Sequence, residues 1–124
     1  MGKQIRVTAG AVTASANLNE SATAKAIWDA LPIEGLANRW GEEIYFEIPV
    51  SLAEDPDARQ DMAVGELAYW PPGSAFCIFF GPTPVSRGGV PRAYSDANPV
   101  GMLEGDAAIF RAVKDGAKVL LARL

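Results

Sequence analysis

Apolar and polar side chains alternate with period two on both sides of Ala9-Gly10, and this alternation ties the chain to a sheet. Ile5 and Val7 alternate with Lys3, Arg6 and Thr8. Val12, Ala14, Ala16 and Leu18 alternate with Thr13, Ser15 and Asn17. Successive side chains of a strand point to opposite faces, so each run buries one face. Two such runs around a short glycine turn predict a β-hairpin. The same logic predicts a strand at 43–48, with Ile44, Phe46 and Ile48 on one side and Glu43, Tyr45 and Glu47 on the other. Glu66–Trp70 is a further strand, and Pro71-Pro72-Gly73-Ser74 is a turn. Ala75–Phe80 is continuously apolar, as a strand buried on both faces would be. A last strand covers Val119 to Leu124.

Helical signals are fewer. Asn19 is placed to cap an alanine-rich helix over 20–31, and Pro32 stops it. Asp106 is placed to cap a short helix through Ala107–Lys114, with Gly116 behind it. Ala53–Asp61 reads as an acidic turn around Pro56. Gly81–Gly105 reads as a long irregular stretch, because nine of its 25 residues are Gly or Pro, with a short strand at Val100–Glu104. At 124 residues the expectation is one domain, mainly β: a closed antiparallel barrel with two helices capping its ends.

Composition excludes several chemistries. The chain has no histidine, so neither a Ser-His-Asp nor a Cys-His device can be built from it, nor an imidazole zinc site. One cysteine allows no internal disulfide and no thiolate cluster. The acidic pairs have the wrong spacing for a two-carboxylate hydrolase. Glu42 and Glu43 point to opposite faces of a strand, and Glu43 and Glu47 lie about 13 Å apart along it. Asp55 to Asp61 lacks the glycine and terminal glutamate of a calcium loop. No metal and no cofactor is therefore implied. The net charge of −4 lacks the basic stripe of a nucleic-acid binder. No apolar run is long enough to span a bilayer, and no signal-peptide pattern opens the chain, so the expected location is cytoplasmic. Charge is uneven: residues 29–66 carry ten acidic side chains against Arg39 and Arg59. Such a region is either a solvated edge or a surface that repels anions and favours cationic or neutral ligands.

The candidate site is aromatic. Arg39 and Trp40 precede Tyr45, and Tyr69 and Trp70 lead into a rigid proline turn followed by Phe76. An arginine beside aromatics can bond a carbonyl in a partly dry cleft, and flat rings form a wall for an apolar or proline-like ligand. The same rings also suit the closure of a core. Cys77 lies in a buried-strand context that makes a thiol inert. Arg87, Arg92 and Tyr94 sit on the glycine- and proline-rich loop, in the manner of a lid. Arg39, Trp40, Tyr45, Tyr69, Trp70, Phe76 and Arg92 are thus the expected ligand-binding set, with Arg39 the candidate catalytic residue.

Three runs carry a family resemblance. These are Trp40 to Phe46, Gly65 to Gly73 and Ala75 to Pro84. In this order they resemble the small prokaryotic cyclophilin-like family, over nearly the whole chain. The resemblance implies an eight-stranded antiparallel barrel closed by two helices, and it carries no settled activity with it. Cyclophilins themselves rotate the peptide bond before proline, using an apolar pocket and an arginine. Gly73-Ser74-Ala75-Phe76 stands where cyclophilins have glycine-serine-glutamine-phenylalanine, with alanine in place of glutamine. The leading expectation is a module that binds a small molecule or an extended, proline-containing peptide in an aromatic cleft. The alternatives are a peptidyl-prolyl isomerase with a rearranged site and an enzyme acting on a small metabolite.

Overall fold

Alternation in the first eighteen residues becomes the hairpin of β1 (Gln4–Ala9) and β2 (Val12–Leu18), paired in antiparallel register from Gln4↔Asn17 to Ala9↔Val12. The computed structural model describes residues 3–124. Helix α1 (Ala22–Ala30) follows. It is capped by Ser21, whose Oγ accepts the Ala24 N–H at 3.1 Å. Asn19, the expected cap, sits two residues too early. It braces the cap instead, accepting both the Ser21 N–H and its hydroxyl through Oδ1. The helix ends at Ala30, with Leu31 as its C-cap directly before Pro32.

Eight further strands follow: β3 (Ile33–Leu36), β4 (Asn38–Arg39), β5 (Glu43–Glu47), β6 (Arg59–Asp61), β7 (Glu66–Trp70), β8 (Ala75–Phe79), β9 (Arg92–Leu103) and β10 (Lys118–Arg123). Single 3₁₀ helices span Pro71–Gly73 and Ala107–Ala112. The second replaces the expected helix at 107–114, and Asp106 caps it as expected through the Ala108 N–H at 3.0 Å. All strand pairs among the described residues are antiparallel, in the order β3-β10-β1-β2-β9-β7-β8-β5-β4, with β6 on β9.

This path has two ends, which corrects the expected closed barrel of about eight strands: the ladder of ten strands is open. The two edge strands, β3 and β4, are nevertheless separated in sequence only by Ala37. The sheet therefore rolls until its edges meet at that residue, which bonds across to Ala117 and Gly116. Packing tightens the seam. A Cβ at Gly35 would lie 2.7 Å from the Phe46 ring, so only glycine lets β3 approach β5.

Strand β9 is the largest departure from the sequence reading, which left most of it irregular. It holds because it pairs on both sides, Ala16↔Leu103 on β2 and Glu66↔Met102 on β7. Pro99, which cannot donate to a ladder, falls where the register shifts between Leu67 and Ala68.

The rolled sheet has two apolar layers. Its concave side encloses the main core, including Ile5, Val7, Ile27, Phe46, Leu67, Tyr69, Phe76, Ile78, Phe110 and Leu121. Truncating one of these phenylalanines to alanine costs about 3–5 kcal/mol by the usual core scale. A second, smaller layer lies on the outer face of β5, β8 and β7. It is built from Met62, Ala68, Ala75, Cys77, Phe79, Ala93 and Ala97, with Tyr45 and Trp70 packed against it. Two layers explain why all five residues of β8 are buried.

Candidate functional site

The outer layer opens into a cavity of about 270 Å³ lined by Trp40, Glu43, Tyr45, Trp70, Cys77, Ala93 and Tyr94. Strand parity assembles it. Tyr45 and Cys77 are direct cross-strand partners on β5 and β8, and Cys77 also faces Ala68 on β7. Trp70 lies two residues beyond Ala68 and so shares this face. The β4–β5 turn brings Trp40 opposite Glu43, each N–H bonded to the other's carbonyl at 2.9 and 3.2 Å. Gly41 makes that turn with φ +60°, and a Cβ there would meet Pro84 at 2.8 Å and the Thr83 backbone at 2.9 Å. Tyr94, from the start of β9, closes the remaining side. Its ring stands edge-on to Trp40 at 6.1 Å and to Trp70 at 6.0 Å. Trp70 is fixed from behind by its indole N–H, which donates to Ser95 Oγ at 2.8 Å.

The cavity has one carboxyl group, Glu43, which is only 4% exposed. Its Oε1 has no hydrogen-bond partner among the described residues. Burial pushes the carboxyl up to about 8, and a hydrogen bond from the Cys77 thiol pulls weakly the other way. Cys77 is displaced upward in turn, first by its own burial and then by the neighbouring carboxylate, so this thiol is no nucleophile at neutral pH. Neither lysine nor arginine lines the cavity.

The expected ligand-binding residues divide into three groups. Trp40, Tyr45 and Trp70 come together at the cavity. Tyr69 and Phe76 are fully buried in the core on the opposite face, where Tyr69 donates its hydroxyl to the Val50 carbonyl at 2.7 Å. Arg39 and Arg92 are held elsewhere. Arg39 donates to the carbonyls of Gly41, Arg111 and Val113, and its guanidinium lies 4.9 Å from the Phe80 ring centre. Arg92 donates to Gln60 Oε1 at 3.1 Å and pairs with Asp61 at 3.6 Å. Glu43, Cys77, Ala93 and Tyr94 were not in the expected set. Parity was the available signal for two of them, because Glu43 shares a face with Tyr45, and Cys77 faces away from Phe76.

The sequence profile of the cyclophilin-like family matches residues 3–122. This chain belongs to the cyclophilin-like family. Among solved structures, a hypothetical protein of Archaeoglobus fulgidus is 34% identical to this cyclophilin-like chain. It superposes with a TM-score of 0.84, covering 99% of this chain and 95% of that one. McbB, solved in complex with tryptophan, shares the fold with a TM-score of 0.73 at 19% identity. The alignment covers 96% of this chain but 44% of McbB, so the cyclophilin-like chain spans under half of that protein. No match was found among curated proteins. No helix among the described residues is long and apolar enough to cross a membrane, and no cluster there suits a metal ion.

Proposed function

We propose that this cyclophilin-like domain binds a small organic molecule in the outer-face cavity, with Glu43 as its polar anchor. The observation that carries this reading is the buried Glu43 Oε1 without a partner. Leaving a buried polar atom unpaired costs about 1–3 kcal/mol, and proteins rarely leave such an atom without a use. Here the orphan atom borders a concavity walled by four aromatic rings, the setting in which a ligand supplies the missing hydrogen bond. The volume sits at the small end of ligand pockets, so it takes one ring or one short chain rather than a length of extended peptide. The tryptophan held by McbB is compatible with a fold of this kind carrying small molecules. The isomerase alternative has no arginine at the cavity to bond the substrate carbonyl.

The test is a small-molecule screen read by the indole N–H resonances of Trp40 and Trp70. Ligands should shift these two and leave Trp28, which lies elsewhere, unmoved. Trp70→Ala should weaken binding by tenfold or more. A screen in which shifts, if any, fall on Trp28 alone defeats the reading. Acid–base turnover is a second reading, favoured by a carboxyl that exchanges its proton near pH 8. It requires a rate profile with an inflection near that pH that disappears in Glu43→Gln.

A further inference from the structure

We propose that the ligand is an organic ammonium ion: a protonated primary or secondary amine with an N–H on Glu43 Oε1 and its hydrocarbon among Trp40, Tyr45, Trp70 and Tyr94. The inference rests on the binding reading above and names the class of ligand. Three observations carry it. First, the cavity holds an acid and no base. Its one orphaned buried oxygen, Glu43 Oε1, asks for a donor, and an ammonium supplies donor and charge together. Second, the walls are ring faces and edges at steep angles, with Tyr94 inclined at 67° to Trp40 and 89° to Trp70. Rings set around such a concavity attract a cation through their quadrupoles. Third, the cavity's β4–β5 side belongs to the acidic part of the chain, residues 29–66, which draws cations in from solvent.

The groups that face Glu43 do not compete for this role. They are Tyr45 on its own strand, the Cys77 thiol on β8 and Tyr94 on β9. Glu42, next to it, is paired with Arg111, and Arg39 is held on backbone carbonyls. No cation of the protein therefore occupies the place left for the ligand's. Binding exchanges one proton: the Glu43 carboxyl releases its proton to solvent, and the carboxylate forms an ion pair with the incoming ammonium, whose own protons stay in place.

Phenethylammonium and its neutral counterpart 2-phenylethanol test this by quenching of Trp40 and Trp70 fluorescence on the wild-type protein. At about pH 8.5, where most of Glu43 is ionised, the ammonium should bind at least tenfold tighter than the alcohol. By about pH 6 its affinity should fall at least tenfold, because the carboxyl is then neutral. Calorimetry at neutral pH in two buffers of different ionisation enthalpy should show most of a proton released per ammonium bound. Glu43→Gln should abolish the preference for the ammonium over the alcohol. If the alcohol binds as tightly as the ammonium, or affinity rises toward acid, the ammonium inference fails while the binding reading stands. If neither probe nor any screened molecule binds, both fail. The wild-type pH series needs no variant to fold.

Discussion

Two glutamates are buried on the outer face of the same sheet, and the protein treats them in opposite ways. Glu66, at the start of β7, is 6% exposed, and Glu43, at the start of β5, is 4% exposed. Arg59 grips Glu66 with two hydrogen bonds, Nη1 to Oε1 at 3.0 Å and Nη2 to Oε2 at 2.5 Å. The Ala63 N–H adds a third at 2.9 Å. Arg59 is itself anchored on the Asp61 carbonyl, so the pair ties β6 to β7. Among the described residues Glu43 has no cation, and one of its oxygens has no partner. A buried charge met by a fork-shaped guanidinium is a structural clamp. A buried acid left unmet beside an open concavity is a binding group kept free. The difference separates scaffold from site on a single surface.

The strongest way to sharpen this contrast is pH. Glu43 titrates near 4.5 when unfolded and at about 8 when folded, so the unfolded chain gives up its proton first. Its effect on stability is therefore nil below about pH 4.5. Stability then falls by up to about 1.4 kcal/mol per pH unit as pH rises, and levels off above pH 8. The full loss is on the order of 5 kcal/mol. Glu43→Gln should be flat across this window and clearly more stable than wild type at pH 8. Urea unfolding of both proteins from pH 5 to pH 9 checks it, and parallel profiles would mean that Glu43 is ionised and satisfied after all.

The next largest effect comes from breaking the clamp. Arg59→Met leaves the Glu66 carboxylate buried without its partner, at a cost of about 2–3 kcal/mol. That is below the figure for a fully buried pair, because the Arg59 side chain remains 46% exposed. Arg111→Met breaks a more exposed pair, with side chains 61% and 27% exposed at Arg111 and Glu42, and should cost no more than about 1 kcal/mol. Thermal melts of the two variants should differ accordingly. Equal losses would remove Glu66's status as a clamp.

Much of the sheet was legible because period two is a local signal. The β1–β2 hairpin, β5, β7, β8 and β10 all lie where alternation or a continuous apolar run placed them. The short strands β3, β4 and β6 were not legible, since two to four residues carry no period. Strand β9 was hidden by its one proline and one glycine, which a bulge and double-sided pairing accommodate. The site was legible by half. Grouping Tyr69 with Trp70 and Phe76 with the outer aromatics ignored parity, which sends neighbours to opposite layers. Tyr94 was expected over the cleft on a lid loop with Arg87 and Arg92, whereas it lines the cavity from the paired strand β9. Arg39 looked like a free cation because its three carbonyl partners come from Gly41 and from residues more than seventy positions away.

The smallest expected effect tests whether Glu43 depends on the thiol beside it. The Cys77 thiol is 3% exposed, its Sγ reaches the Ala75 carbonyl at 3.9 Å, and hydrogen bonding between it and the Glu43 carboxyl holds that group's titration down. Cys77→Ala removes this bond and leaves a small void in the cavity floor. The void lowers stability by about 1 kcal/mol or less, equally at every pH, since it involves no proton. Loss of the bond does something different: Glu43 should titrate at a higher pH than in wild type, so the falling limb of the stability curve extends further toward alkali. In a Glu43→Gln background only the constant offset should remain. Urea unfolding of the four proteins over the same pH range separates the two contributions, because an offset and a moved inflection have different shapes. An inflection that stays in place in Cys77→Ala would show that burial alone sets Glu43. The contrast with Glu66 would then rest entirely on Arg59.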